Sequence, residues 1–229
     1  MKKLIFLTLL LISSSNANEI LNQESSGVFL GFGIGAGNGT LTINNFKTNG
    51  TNLGKVFKDT ENTFNYEGRV GYKYFFNQYV GLRGYGNVSY SEVSKKATSL
   101  APSVLTPQEY TISLITYGIN ADVLVNFYND SMLNVGVFGG FGIGGINVNY
   151  NDKYLNFEES FNSFYADAKL GLRLNIINHG IELGAKIPLT EAEKALSASV
   201  NMNNTTHNAN FDAKVKTNYI IYLNYAYTF

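Results

Sequence analysis

The chain contains no cysteine and no tryptophan, and among its 229 residues only 3 are proline and 2 are histidine. Without cysteine there is neither a disulfide framework nor a thiolate metal site. Formal net charge is zero at pH 7, and no basic patch points to nucleic acid as a partner. The chain also lacks any uncharged apolar stretch of the roughly 20 residues that a spanning helix needs. If it crosses a membrane, it crosses as strands.

Lys2 and Lys3 are followed by an apolar run, Leu4 to Ile12, broken only by Thr8, and then by the small-x-small site Ser15-Asn16-Ala17. This order predicts a secretory signal peptide over residues 1–17, cleaved after Ala17. Removing Lys2 and Lys3 from 17 basic residues leaves 15 against 17 acidic ones. The remaining 18–229 have the length of one all-β domain.

The composition leans towards strand, with 16 Tyr, 16 Phe and 23 Gly. Period-two alternation predicts eight segments: Gly27 to Gly37, Thr63 to Phe76, Tyr79 to Tyr90, Thr111 to Phe127, Met132 to Ile146, Phe164 to Ile176, Ile181 to Leu189 and Tyr219 to Phe229. Three connections are short: Asn77-Gln78, Tyr128 to Ser131, and the turn-type cluster Asn178-His179-Gly180. Four are long: Asn38 to Asn62, Ser91 to Tyr110, Asn147 to Ser163 and Thr190 to Thr217. This alternation is that of an eight-stranded antiparallel transmembrane β-barrel with short periplasmic turns and longer outer loops.

Taken together, the strands have one apolar face and another that carries the charges. Lipid around the wall reverses the arrangement of a soluble barrel, so the charged face is expected to point inwards. Ten residues make up this expected lumen network: Glu67, Asp122, Asp167 and Glu182 against Arg69, Lys73, Arg83, Lys169, Arg173 and Lys186. Unpaired buried charge is costly, so these groups are expected to pair and to plug a lumen only wide enough for side chains. The glycines of the first and fifth segments leave room for the long basic chains opposite. On the last segment Tyr225, Tyr227 and Phe229 share the apolar face, and the chain ends on that aromatic. Such an ending resembles the insertion signal read by the outer-membrane barrel assembly machinery.

Three blocks carry a closer resemblance. They are Phe75-Phe76-Asn77-Gln78 with Val80-Gly81-Leu82-Arg83-Gly84-Tyr85, the run from His179 to Leu189 (HGIELGAKIPL), and the ending Tyr222 to Phe229 (YLNYAYTF). In these the chain resembles a small member of the Helicobacter outer membrane protein family, paralogous barrels that include adhesins. The resemblance implies an outer-membrane location, lipid and lipopolysaccharide around the wall, and passage past periplasmic chaperones. A host surface ligand is implied for the adhesins. Their large extracellular region, inserted before the barrel, has no counterpart of that size here.

Chemistry is sparse. Gly31 to Gly37 and Phe138 to Gly145 are glycine-rich but alternate within strands, with no helix to cap a phosphate. His179 falls at the predicted periplasmic side and His207 in the last outer loop, so they cannot share an ion. Loop carboxylates Asp152, Glu158 and Glu159 are candidates to hold a divalent cation or to bridge lipopolysaccharide. His207 with Ser197, Ser199 and Glu193 is the one grouping from which a rim hydrolase acting on lipid could be built. Glu191 to Leu196 has helix-favouring composition and predicts a short helix at the start of the fourth loop. No catalytic, cofactor or metal set emerges. The function expected is a surface barrel presenting four loops, in a structural or host-binding role, with a narrow pore as the alternative.

Overall fold

A computed structural model describes residues 24–48, 51–52, 57–95, 110–152, 157–202 and 205–229. The expected signal peptide lies outside the described residues. Among the described residues there are ten strands: Gly27–Thr48 (β1), Thr51–Asn52 (β2), Phe57–Phe75 (β3), Val80–Lys95 (β4), Tyr110–Asn129 (β5), Leu133–Asp152 (β6), Phe157–Ile176 (β7), His179–Pro188 (β8), Ala192–Met202 (β9) and Thr205–Thr228 (β10). Each of the main strands pairs antiparallel with its neighbour in the order β1-β3-β4-β5-β6-β7-β8-β10, and β10 pairs back onto β1. Eight strands therefore close a ring. The short β2 lies on the upper end of β1, and β9 runs beside the upper end of β10.

The outer surface carries a belt of apolar side chains. On β5 the outward series runs Ile115, Tyr117, Ile119, Ala121, Val123, Val125, Phe127, and on β3 Phe64, Tyr66, Val70, Tyr74 is exposed in the same way. Exposed aromatics gather at both margins: Tyr74, Phe76, Tyr79, Phe127, Tyr225 and Phe229 at the end of the short turns, and Phe64, Tyr66, Tyr90, Tyr117, Phe164 and Tyr219 at the other. This is the double girdle of an outer-membrane barrel.

A tilted strand needs about 9–11 residues to span the hydrocarbon. Yet β5, β6 and β7 have 20 residues each and β10 has 24. The surplus lies on the side opposite the short turns, and it corrects the long-loop reading. Most of Asn38 to Asn62, Asn147 to Ser163 and Thr190 to Thr217 is strand, as are the first residues after Ser91.

The physical reason is a reversal of phase. Within the belt apolar residues point out. Beyond it Leu41 and Ile43 of β1, Val93 of β4, Ile112 and Leu114 of β5, Ile146, Val148 and Tyr150 of β6, and Val215 of β10 all point in and are buried. Their outward neighbours are Thr42, Asn44, Ser113, Asn147, Asn149 and Asn162. In β10 the switch coincides with an irregularity in register against Asn38/Gly39.

The expected helix over Glu191 to Leu196 is also corrected, since Ala192 opens β9 and pairs with Val215. Cross-strand pairing overrides helix propensity, which is worth only tenths of a kcal/mol per residue. The third short turn is Ile177–Asn178, with His179 and Gly180 already in β8. Ile177 has φ 56, a left-handed conformation unusual for a β-branched residue.

Candidate functional site: the barrel interior and its outer collar

The ten expected lumen residues all face inwards and are buried, from Lys186 and Asp167 at 2% exposure to Glu67 at 5%. They form three tiers. In the middle tier Arg83 of β4 donates to Asp122 of β5 at 2.6 Å and to Glu182 of β8, while Arg69 of β3 reaches Glu182 at 2.9 Å. In the tier towards the outer face Lys186 donates to Glu67, Arg69 lies 3.4 Å from Glu67, and Lys169 lies 3.0 Å from Asp167 and donates to Asn120. Close approach of this kind needs glycine opposite. A Cβ on Gly31 would meet Arg69 Cγ at 2.9 Å, and one on Gly142 would meet Lys169 Nζ at 3.1 Å.

Aromatic rings fill the space between the ions. Arg69 and Arg83 lie over Tyr85 at 5.4 and 5.2 Å, and Arg83 lies over Phe138 at 5.4 Å. Such stacking suits the weakly hydrated guanidinium.

The third tier, at the periplasmic mouth, contains an acid missed in the sequence. Glu24 lies ahead of β1 and receives Lys73 at 2.6 Å and Arg173 at 2.5 and 2.8 Å. No alternation marks Glu24, because it belongs to no strand. The surplus of two bases in the expected network was the one signal that could have announced it.

Above the ions sits a layer of hydroxyls and amides. Asn65 donates to Ser91 at 2.9 Å, and Ser89 bonds Thr116. Above that comes the apolar upper core. A cavity of about 10 Å³ lies there, lined by residues including Leu114, Tyr165, Pro188 and Val215, with room for about one water.

Between β7 and β8 the wall opens towards its outer end. The β7–β8 ladder ends at the pair Asp167 and Pro188, with Leu189 N donating to Ala166 O at 2.8 Å just beyond. Proline has no N–H to continue a ladder. Among the described residues β9 then pairs with β10 alone, so the upper part of β7 faces β9 across a seam. The ion pair between Lys194 and Glu159 bridges it. Glu159 is thus engaged with the wall rather than standing on a loop, which corrects its reading as a loop carboxylate.

On the outer face of the β9–β10 hairpin, Lys214 pairs with Glu193 at 2.9 Å and Lys216 with Glu191 at 3.0 Å. The Glu193 hydrogen bond raises the Lys214 ammonium above its ordinary pKa. The hydrolase grouping is not brought together. Backbone register places His207 opposite Val200, seven pairs along the hairpin from Lys214 and Glu193, and Ser197 donates to Asn210 at 2.7 Å; the side chains of His207 and Ser199 lie outside the described residues. His179 is exposed at the periplasmic girdle, its Nδ1 2.7 Å from the Tyr225 hydroxyl. Tyr225 and Phe229 face outwards at that same margin, with the Tyr227 ring between His179 and Phe229.

The structure is similar to that of the outer membrane protein OprG from Pseudomonas aeruginosa, with a TM-score of 0.52 and 13% identity over 91% of this chain and 99% of OprG. At such identity the likeness shows the fold alone. Neisserial surface protein A matches with a TM-score of 0.43 and 10% identity over 90% of this chain and all of its own. Ail, the attachment invasion locus protein of Yersinia pestis, matches with a TM-score of 0.32 and 13% identity over 86% and 99%. No curated protein sequence matches the chain. The family profile described as "Helicobacter outer membrane protein" matches residues 67–229, from the second wall strand to the terminal aromatic. The chain therefore belongs to the Helicobacter outer membrane protein family and is an outer-membrane β-barrel.

Proposed function

We propose that this barrel is a surface-presenting protein whose four outer hairpins bind a host surface ligand. One observation carries the reading: the strands do not stop at the lipid belt but continue beyond it around a packed apolar core. A barrel needing only to sit in the membrane could end each strand at the outer girdle. The extension instead sets a rigid platform of paired strands beneath the outer connections, the condition under which loops act in recognition. Its outward side chains are mainly Asn, Ser and Thr, hydrogen-bonding groups suited to a polar partner such as host glycan or lipopolysaccharide.

The test is adhesion of intact cells displaying the barrel to epithelial cells, against cells displaying it with all four tips shortened. Binding lost with the tips is the expected result; equal binding by both would reject the host-binding role. A pore is the weaker reading, because ions and then apolar side chains fill the lumen. Conductance at background level in planar bilayers is expected.

Tyr225, Tyr227 and Phe229 we assign to recognition by the assembly machinery. Their outward, girdle-level position supports that role. Deleting Phe229 is expected to lower surface protein far more than trimming the β9–β10 tip, and equal levels in a protease-accessibility assay would refute it.

A further inference from the structure

The mouth of the barrel on the short-turn side is built like a receptor for a carboxylate. Four donors converge on the two oxygens of Glu24. Lys73 Nζ lies 2.6 Å and Arg173 Nη2 2.5 Å from Oε1, while Arg173 Nη1 lies 2.8 Å and Asn126 Nδ2 3.1 Å from Oε2. A two-toothed guanidinium fork with a flanking ammonium and amide matches a planar carboxylate in shape as well as charge.

All the donors stand on the wall, on β3, β5 and β7, where ladders fix their backbones. Arg173 is further held by donating to Asn126 Oδ1 at 2.9 Å and by lying over the Phe75 ring at 5.4 Å. The acceptor is not on the wall. Glu24 rides on the segment ahead of β1, which is also tied to the wall where Phe75 N donates to Ser26 Oγ at 2.9 Å. The receptor is rigid and its occupant is tethered.

The charge balance agrees. Glu67, Asp122, Asp167 and Glu182 are engaged by Arg69, Arg83, Lys169 and Lys186. Lys73 and Arg173 are left to Glu24. With Glu24 withdrawn, two buried cations face one another at the mouth, an arrangement that demands a replacement anion.

We propose that the periplasmic mouth is a carboxylate-binding site that the chain fills with its own Glu24, and that a small free carboxylate takes the same place when Glu24 is withdrawn. The N-terminal segment is then a displaceable stopper.

The test uses the refolded full barrel in detergent. Glu24→Ala keeps Cβ and removes CH2–COO⁻, so acetate is the missing fragment. The variant is expected to unfold at lower urea, and acetate is expected to restore at least half of that loss where chloride at equal ionic strength does not. Wild-type protein and the double variant Glu24→Ala/Arg173→Met should show no such gain. Acetate acting no better than chloride on Glu24→Ala, or equally well on the double variant, would overturn the proposal. Should Glu24→Ala fail to fold, proteolysis of the wild-type segment ahead of Gly27 decides instead. Faster clipping in acetate than in chloride, with the barrel intact, is expected, and equal clipping would refute displacement.

Discussion

The lower and upper halves of this barrel solve the same packing problem with opposite surfaces. Within the belt the wall is apolar outside and ionic inside; beyond it the wall is polar outside and apolar inside. Both halves share strands and hydrogen-bond ladders, so backbone geometry does not account for the difference. The surroundings do. Lipid rewards apolar atoms on the outside and leaves the charges to neutralise one another within, whereas water rewards the reverse. The lower interior depends on pairing, which fails abruptly when one member is lost. The upper interior depends on contact area, which degrades by degrees.

That contrast can be broken most severely in the lower half. Arg83→Leu removes the partner of both Asp122 and Glu182 and is expected to cost about 3–5 kcal/mol in urea unfolding of the liposome-inserted barrel. Unchanged unfolding would mean that water, not pairing, satisfies the lumen. Next in size is the lipid face: Ile119→Lys, in the belt, is expected to lose about 2–4 kcal/mol. The matching Asn147→Lys in the collar should stay within about 0.5 kcal/mol. Similar losses at the two sites would place the membrane boundary wrongly.

A smaller effect is expected in the upper core. Leu114→Ala should cost about 2 kcal/mol, near the low end for a buried leucine because an outer hairpin can relax around it. It should speed proteolysis of the hairpins while the heat-resistant barrel persists in electrophoresis; collapse of the whole barrel would show the halves to be one cooperative unit. The smallest effect belongs to the seam. Lys194→Ala removes a pair whose side chains are 36% and 32% exposed, and a loss of at most about 1 kcal/mol is expected from the same unfolding curves.

The same contrast explains what could be read from the chain. The eight belt segments and the inward charges were legible because lipid outside and ions inside make the two faces chemically distinct at every second residue. Thr40-Leu41-Thr42-Ile43 alternates just as clearly, but with its apolar face turned inwards, so the lipid-facing pattern of the belt does not extend to it. Glu191 to Leu196 has the composition of a helix because Ala, Glu, Lys and Leu favour helices, while Glu193 and Ala192 pair with Lys214 and Val215, 21 and 23 residues further along the chain. Ile177 escaped because turn chemistry pointed to the Asn and Gly beside it. Glu24 escaped because a residue outside any strand has no period to betray it.

The phase reversal also sets the height at which the protein rides. Sliding outwards would lift belt residues such as Phe64 and Phe164 into water; sinking would drag Asn147, Asn162 and the Lys216–Glu191 pair into hydrocarbon. Each displacement is opposed from the first ångström, since hydrophobic mismatch is penalised in both directions. The reversal is a draught mark, and it holds the paired strands of the collar at a constant distance from the membrane plane.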